Sequence, residues 1–305
     1  MQSHIGEFAA LLTTVFWTIT ALAFETASKR IGSMHVNILR LGLAVIFLSV
    51  FSFFHRGMFL PLDADMHTWV WLAVSGIVGF VIGDYCLFRA FILTGARVAM
   101  LMMTLAPVFA ALAAWVILGE VMSYQSLLAM LITLGGIALV IFTRTPDGDA
   151  GINKKKSSYS MSYPAKGILL GLIAAAGQGV GLVLSKYGMR DYDSFSASHI
   201  RVISGFISFA FLFFVLRKWK ELPASFRDTK AMKWLLVGSV FGPFLGVSFS
   251  LLAVQNTNAG IAQTIMSLTP VLIIPPAFFL KKEKITVREI IGAVIAVGGV
   301  MLFFV

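Results

Sequence analysis

The stretch Thr94-Gly95-Ala96-Arg97-Val98-Ala99 returns near the C-terminus as Thr257-Asn258-Ala259-Gly260-Ile261-Ala262. After each copy the chain runs through apolar residues to a proline, a glutamate and a glycine pair, which are Pro107, Glu120 and Gly135-Gly136, and then Pro270, Glu283 and Gly298-Gly299. The spacing is constant at 163 residues, since position 94 matches 257 and position 135 matches 298. A duplicated unit determines the architecture of a chain, so this repeat decides the fold.

The composition places the chain in a membrane. Of its 305 residues 58% are hydrophobic and 12% are charged, and the mean hydropathy is +0.90. Soluble domains carry about 25% charged residues, so most of this chain does not face water. The net charge of +10 comes from basic residues in loops between apolar runs, which suits contact with anionic membrane lipids rather than nucleic acid. Cys86 is the only cysteine, which excludes an intrachain disulfide.

The hydrophobic runs predict an all-α integral membrane protein with ten transmembrane helices. A span needs about 20 mainly apolar residues. We predict spans at roughly 6–28, 35–54, 68–92, 96–118, 123–143, 166–187, 196–216, 231–254, 258–280 and 285–305. The first run should be retained rather than cleaved, because no Lys or Arg precedes it and it is too long for a signal peptide.

The repeat divides the chain into two halves. Residues 1–143 form the first five-helix unit, 144–165 a polar linker, and 166–305 the second five-helix unit. The first two spans of each half match at an offset of 161 instead, which aligns Arg40 with Arg201. Because five is odd, the second unit must enter the membrane from the opposite side. Inverted-topology repeats are typical of secondary transporters that work by alternating access.

The distribution of basic residues predicts the orientation. Eighteen Lys and Arg residues lie in the loops on one side of the predicted spans. Only Arg56 and Arg190 lie on the side that carries both termini. By the positive-inside rule the basic side is cytoplasmic, which places both termini outside.

The chain resembles the EamA-type drug/metabolite transporters along essentially its whole length. The resemblance is carried by Trp17 in span 1, by Asn37-Ile38-Leu39-Arg40 at the start of span 2, and by the duplicated Thr-Pro-Glu-Gly-Gly element described above. It implies export or uptake of small metabolites, often amino acids or related compounds, through a cavity between the halves. It also implies a bacterial inner membrane location with both termini inside, against the charge count. Glu25 departs from the family pattern, which often has Lys or Arg there; its counterpart in the second half is Lys186.

Asp84 is the strongest candidate for a substrate or coupling site. It lies inside span 3, and its repeat counterpart is the uncharged Val247. Ionisable groups within a membrane are costly, so each is a site candidate. Asp84 either faces the cavity and binds a substrate amine or a proton, or forms an internal pair with Arg89 or Arg40.

The matched arginines have two interpretations. Arg40 and Arg201 could clamp a substrate carboxylate bidentately. They could equally tie helix ends to carbonyl groups, to Glu25, or to the Asp191/Asp193 pair. Glu25 itself precedes Lys29 by one turn and indicates either a surface ion pair or a coupling role.

Other candidates are polar or aromatic residues that could line a cavity. These are Trp17, Tyr85, Gln178, Gln263 and, as the asymmetric partner of Glu25, Lys186. Glu120 and Glu283 precede helix starts and are expected to cap the helices that follow them. Pro107 and Pro270 indicate either helix packing and curvature or hinges beside the substrate path.

The sequence favours transport over catalysis. It contains no metalloprotease, P-loop or nucleophile-elbow motif, so we expect no enzyme, cofactor or metal. Transport would draw on an ion gradient, with protons as a possible coupling ion, or on the gradient of a small-molecule substrate. The alternatives are a multidrug or cation effluxer and a non-transporting membrane protein. The sequence leaves open whether the protein is a monomer or a homodimer.

Overall fold

The computed structural model describes residues 4–87, 89–90, 93, 102–143, 165–272, 276 and 287–302, and within them the regular structure is helical. We label the helices of eight or more residues in chain order. They are α1 Ile5–Ile31, α2 Ser33–Arg56, α3 Met66–Leu87, α4 Ala106–Leu118, α5 Tyr124–Thr143, α6 Ala165–Met189, α7 Ser194–Val215, α8 Thr229–Asn256, α9 Ala259–Met266 and α10 Val287–Met301. Short helical segments occupy Lys218–Lys220, Leu222–Ser225 and Thr269–Leu272.

Six of these helices are long and apolar enough to cross a membrane: α1, α2, α3, α6, α7 and α8. Three shorter apolar stretches lie in α4, α5 and α10. The all-α membrane class is therefore confirmed. The count of ten spans stays a prediction, because 94–101 and 277–286 lie outside the described residues. Almost all of the predicted linker, and Glu283, also lie outside the described residues.

Aspartates begin three of the helices. The carboxylate of Asp65 accepts a hydrogen bond from the backbone N–H of Thr68 at 2.8 Å, and Asp228 does the same for Ala231 at 2.9 Å. Asp193 caps α7 in this way. Such caps satisfy amides that have no partner inside the helix. Asp65 and Asp228 match at the offset of 163, so the repeat extends to helix capping.

The helices α3 and α8 share an unusual internal feature. Each contains a seven-residue π-helical segment, Ile77–Gly83 in α3 and Val240–Gly246 in α8. Both ends of the second segment lie 163 positions after those of the first, at 240 against 77 and 246 against 83. Segments of this kind are rare in proteins, and those that occur are often found at functional sites. The duplication has therefore preserved a local departure from α-helical geometry.

Contacts between the two halves occur in matching pairs. Helix α1 packs on α8, and its counterpart α6 packs on α3. Helix α9 packs on α1, and its counterpart α4 packs on α6. Helix α8 packs on α2, and its counterpart α3 packs on α7. Three further contacts, α2 with α7, α4 with α9, and α5 with α10, each join a helix to its own counterpart. This is the pattern expected when two copies of one unit pack through the same surface.

The interface of α5 and α10 shows this equivalence at atomic detail. A Cβ added to Gly136 would lie 2.7 Å from the carbonyl oxygen of Gly292, and one added to Gly299 would lie 3.1 Å from that of Ala129. Positions 129 and 136 match 292 and 299 at the same offset of 163. Small residues allow membrane helices to approach this closely.

The outer surface of the helices is apolar. Large hydrophobic side chains are exposed on most of them, including Phe8, Phe54, Trp115, Leu131 and Phe211, of which Phe54 is 83% exposed. Exposed apolar patches of this extent mark contact with lipid or with other proteins. Polar side chains are instead buried between the helices, where the candidate site lies.

Candidate functional site

Asp84 lies immediately after the π-helical segment of α3 and is only 6% exposed. Arg40 of α2 contacts its carboxylate directly as an ion pair. Gln178 of α6 donates a hydrogen bond from Nε2 to Oδ1 of Asp84 at 2.9 Å and lies 3.3 Å from the carbonyl oxygen of Gly79. The structure thus shows the internal pair with Arg40. Arg89, the other partner considered, is exposed and lies over the ring of Tyr85, at 5.7 Å from its centroid.

Arg201 is the second cation near this carboxylate. It is 5% exposed and occupies the same depth in α7 as Arg40 in α2, seven residues after the first residue of the helix. Its guanidinium lies 5.2 Å from the ring centroid of Phe80, and its Nη2 lies 3.3 Å from where a Cβ on Gly79 would be. Among the described residues its Nε has no hydrogen-bond partner. Arg201 does not contact Asp191 or Asp193, and Asp84 is the carboxylate that acts on it electrostatically.

The corresponding position in the other half is apolar. A Cβ on Gly83 would lie 3.2 Å from Nε2 of Gln178, and one on Gly246 would lie 2.8 Å from Nε1 of Trp17. Trp17 therefore occupies the counterpart of the Gln178 position. Val247, the counterpart of Asp84, is buried in a hydrophobic cluster that includes Phe80, Val202 and Phe209.

Two predicted site residues lie apart from Asp84. Gln263 is buried in α9, a helix that packs mainly against α1 and α4. Lys186 lies two turns beyond Gln178 on α6, roughly 12 Å further along the axis. Its Nζ binds Glu120 at 2.5 Å and the carbonyl oxygen of Thr257 at 2.6 Å. The side chain of Glu25 lies outside the described residues.

Lys186 belongs to a polar cluster at the end of the bundle where α1 begins. Glu120 accepts a hydrogen bond from the backbone N–H of Ala259 at 3.0 Å, and Thr257 donates from its hydroxyl to Glu7 at 2.8 Å. We call Glu7, Glu120, Lys186 and Thr257 the end cluster. It ties the starts of α1 and α9 to the end of α6 and to the segment after α4. The cluster therefore holds helices of the two halves together at this end of the bundle.

Glu120 caps a helix, as predicted, but the helix that was predicted was wrong. Glu120 caps α9 through Ala259 instead of the helix that follows it in sequence. At that following helix, α5, Ser123 accepts the hydrogen bond from the backbone N–H of Ser126 at 3.1 Å. The chain turns at Gly119, whose φ of 67° is left-handed, and this directs Glu120 toward the other half.

Sequence reasoning missed a second group of contacts at the same end. Arg56 pairs with Asp63 and donates hydrogen bonds to the hydroxyl groups of Tyr192 and Ser196 at 3.0 and 2.7 Å. Tyr192 in turn donates to Asp63 at 2.9 Å. Although burial opposes its charged form, the hydrogen bonds from Arg56 and Tyr192 lower the pKa of Asp63. Only the charge of Arg56 and Asp63 could have signalled this group in the sequence.

The opposite end of the bundle carries a groove of about 640 Å³. Its lining is Arg30, Ile31, His35, Glu221, Ala224, Ser225, Arg227, Asp228, Thr229 and Lys230. Arg30 and Asp228 form an ion pair of 2.7 Å along one wall. Thus one end is held by partly buried polar contacts, and the other is indented and charged.

The two candidate hinge prolines occupy equivalent breaks. Residues 104–105 form a turn, after which α4 starts at Ala106 with Pro107 in its first turn. Residues 267–268 form the matching turn, and Pro270 stands in the short helix Thr269–Leu272. Proline is tolerated in a first turn because its missing N–H has no intrahelical partner there. Each proline thus lies in the first turn of a helix that follows a break.

Comparisons with known proteins agree with this architecture. The model of the EamA-like transporter family matches residues 4–142 and again 165–305. The probable 4-amino-4-deoxy-L-arabinose-phosphoundecaprenol flippase subunit ArnE of Pseudomonas fluorescens is 32% identical over 89 residues, which are 29% of this chain and 77% of that protein. One solved crystal structure, described only as that of a protein, has a TM-score of 0.75 at 16% identity and covers 98% of this chain and 96% of its own. At that identity the likeness shows the fold alone.

Proposed function

Because the chain belongs to the EamA-like transporter family, we propose that it is a secondary transporter that exports small metabolites such as amino acids or related compounds. Transport would occur by alternating access between two inverted five-helix repeats that supply ten membrane spans. The observation that carries the proposal is the set of matched helix contacts around one buried charged site. Two equivalent packings of the same surfaces can interconvert, and each would expose the site to a different side.

Asp84, Arg40, Arg201 and Gln178 form the proposed substrate site. They come from α3, α2, α7 and α6, so the site combines helices from both halves. Buried charges inside a membrane protein are expensive and are retained mainly where they serve transport or coupling. A motion of one half against the other would necessarily change the distances among these four side chains.

The end cluster is the proposed gate on one side. Its contacts join helices of the two halves through Lys186, Glu120 and Thr257, and they must separate before the site can open there. The matching positions on the other side are Glu25, Glu283 and Thr94 by sequence. Two glutamates cannot reproduce a lysine–glutamate pair, so closure of that side needs other contacts. We infer that the two closed states differ in stability.

The proposed location is the bacterial inner membrane, with both termini outside. The excess of basic residues in the loops at the grooved end supports this orientation. The end cluster would then be the periplasmic gate, and the groove would face the cytoplasm. A substrate taken from the cytoplasm would leave through the end cluster, which fits export. Protons are the proposed coupling ion, with Asp84 or a gate carboxylate as the carrier.

A second candidate is the movement of a lipid-linked substrate. It is favoured by the similarity to a protein whose name describes a phosphoundecaprenol flippase subunit. The exposed apolar faces of the helices would allow a lipid tail to remain in the bilayer while its polar head crosses between the halves. Both candidates use the same central site.

Flux measurements on purified full-length protein in liposomes test the proposal. A panel of labelled amino acids and related metabolites, with and without an imposed proton gradient, should reveal at least one compound that is moved by the protein. Asp84→Asn should abolish this flux, whereas Asp65→Asn, which changes an exposed helix cap, should not. A dithionite-quenching assay of fluorescent phospholipids covers the second candidate. Absence of flux in all arms, with the protein shown to be folded, would overturn both.

A further inference from the structure

Arg201 is a buried cation without the partner that its counterpart has. Arg40 contacts the carboxylate of Asp84, but the position that matches Asp84 in the second half is Val247. Within the described part of the chain, the Nε of Arg201 is buried without a hydrogen-bond acceptor. The guanidinium lies over the ring of Phe80, 5.2 Å from its centroid, and a phenyl ring offers no acceptor oxygen.

Among the described side chains, positive charge exceeds negative charge at the site. Arg40 and Arg201 both interact with the single carboxylate of Asp84, and Gln178, which also contacts Asp84, is neutral. Removing an ion from water without a partner is costly, so a stable site of this kind calls for an anion. A guanidinium offers a planar fork of donors that matches the two oxygens of a carboxylate or phosphate group.

We propose that Arg201 binds a carboxylate or phosphate group of the transported substrate, which supplies the charge that Val247 lacks. The inference rests on the proposed function, since it names the substrate class of the same site. The bound anion is the functional equivalent of a second Asp84. It completes one ion pair in each half, Asp84 with Arg40 and the substrate with Arg201.

A cationic group suits the same site less well. Asp84 already contacts Arg40 and accepts a hydrogen bond from Gln178. A substrate amine would have to displace a guanidinium and would raise the net positive charge of the site. This distinguishes the present inference from an amine-binding role of Asp84.

Anion-dependent stabilisation of the full chain in phosphatidylcholine nanodiscs tests the inference. The probes are phenylacetate, phenyl phosphate and, as a cation of similar size, phenethylamine, all at constant ionic strength. A ligand that binds only the folded state raises the unfolding temperature in proportion to its affinity. We expect saturable stabilisation by at least one of the two anions and none by phenethylamine. Stabilisation by phenethylamine alone overturns the inference.

Two variants locate the binding group. Arg201→Gln should weaken the apparent affinity for the anion by at least about tenfold, and Arg201→Lys by less, because ammonium keeps the charge but loses the bidentate geometry. Arg217→Gln, the same change at an exposed arginine beyond the end of α7, should leave it unchanged. Equal anion affinity in Arg201→Gln and the unsubstituted protein contradicts the inference.

Val247→Asp keeps the test informative if Arg201→Gln does not fold. This variant places a carboxylate where the second half lacks one, so it should compete with the added anion and weaken its binding at least about tenfold. Val247→Asn is the matched control and should bind the anion more tightly than Val247→Asp. Equal anion binding by the two variants counts against the inference.

The source of the anion is distinguished by lipid composition. Stabilisation by phosphatidylglycerol nanodiscs that disappears in Arg201→Gln identifies a lipid head group, whereas stabilisation by the soluble probes identifies a free substrate. Loss of both signals overturns the inference. The two proposals fail in different ways. Flux that does not depend on Arg201 would overturn anion binding at Arg201 and leave transport standing. Anion binding that depends on Arg201, without any flux, would overturn transport and leave anion binding standing.

Discussion

The stretches Ile77–Asp84 and Val240–Val247 match at an offset of 163 residues and share a π-helical segment, yet their surroundings differ in polarity. In the first, Asp84 meets Gln178 and Arg40, whereas in the second Val247 joins a hydrophobic cluster and Trp17 packs on Gly246. The two stretches share this backbone geometry because they occupy equivalent places in the packing of the two halves. The difference shows that matched positions can differ in polarity, Asp84 against Val247 and Gln178 against Trp17, while the backbone keeps the same geometry.

The largest effect should follow from making the first stretch resemble the second. Asp84→Val removes the carboxylate that Arg40 contacts and that acts on Arg201, and losing one partner of a buried ion pair costs about 3–5 kcal/mol. We expect a clearly lower unfolding temperature in detergent and loss of flux. Val81→Ala, on the same segment, is a control that keeps the charges. An unchanged unfolding temperature in Asp84→Val would show that the pair contributes no stability.

A second comparison sets the end cluster against the exposed ion pairs. Lys186→Met removes the contacts to Glu120 and Thr257, and hydrogen bonds to charged groups contribute about 1.5–3 kcal/mol. We expect a lower unfolding temperature and faster modification of a cysteine introduced beside Glu120, because the proposed gate would open more often. Lys218→Met, which removes an exposed pair with Glu221 at 3.9 Å, should change neither. Equal effects of the two variants would refute a gating role.

The equivalence of the two halves can be tested with glycines. Gly136→Ala and Gly299→Ala each place a Cβ against the backbone of the other helix, and overpacking of this kind costs about 1–3 kcal/mol. Because the contacts match, the two variants should lower the unfolding temperature by similar amounts. Gly135→Ala and Gly298→Ala face open space and should be neutral. A large effect in only one half would show that the α5–α10 interface is not symmetric.

The smallest effect concerns the two matched helix caps. The backbone N–H of Ala231 and the guanidinium of Arg30 lower the pKa of Asp228, and hydrogen bonds from Thr68 lower that of Asp65. A carboxyl group whose pKa is lowered by folding stabilises the protein at pH values above its pKa in the unfolded state. This contribution is lost as the pH falls through its pKa in the folded state.

Asp228→Ala and Asp65→Ala should therefore lower the unfolding temperature slightly at neutral pH and lose their effect in acid. Only the effect of Asp228→Ala should also decrease with added salt, because it alone involves an ion pair, with Arg30. Unfolding temperatures at several pH values and salt concentrations measure this. Equal salt dependence of the two caps would contradict the assigned cause.

Much of the architecture was readable from spacing. The match of Pro107 with Pro270 predicted equivalent positions, and both prolines follow equivalent breaks. The buried charge at Asp84 was recognisable because an aspartate within an apolar run is rare, and Arg40 was one of its two predicted partners. The paired contacts of α5 and α10 follow from the same repeat.

The contacts that join the helices at the end of the bundle where α1 begins were not readable from the sequence. Glu7 and Thr257 are 250 residues apart, and Glu120 caps a helix of the other half. A carboxylate beside a helix start in sequence suggests a local cap, but the turn at Gly119 directs this one elsewhere. Arg56, Asp63 and Tyr192 likewise meet only through packing.

The sequence by itself determined the membrane class, the duplicated unit and the residues at which the two copies differ, because hydrophobic runs and constant offsets are properties of the chain order. Only the tertiary structure decided that Asp84 pairs with Arg40, that Lys186 joins the two halves at one end of the bundle, and that Arg201 has no carboxylate of its own among the described residues but shares that of Asp84. Those outcomes depend on which helix faces meet and how far each side chain reaches, and chain order does not specify either.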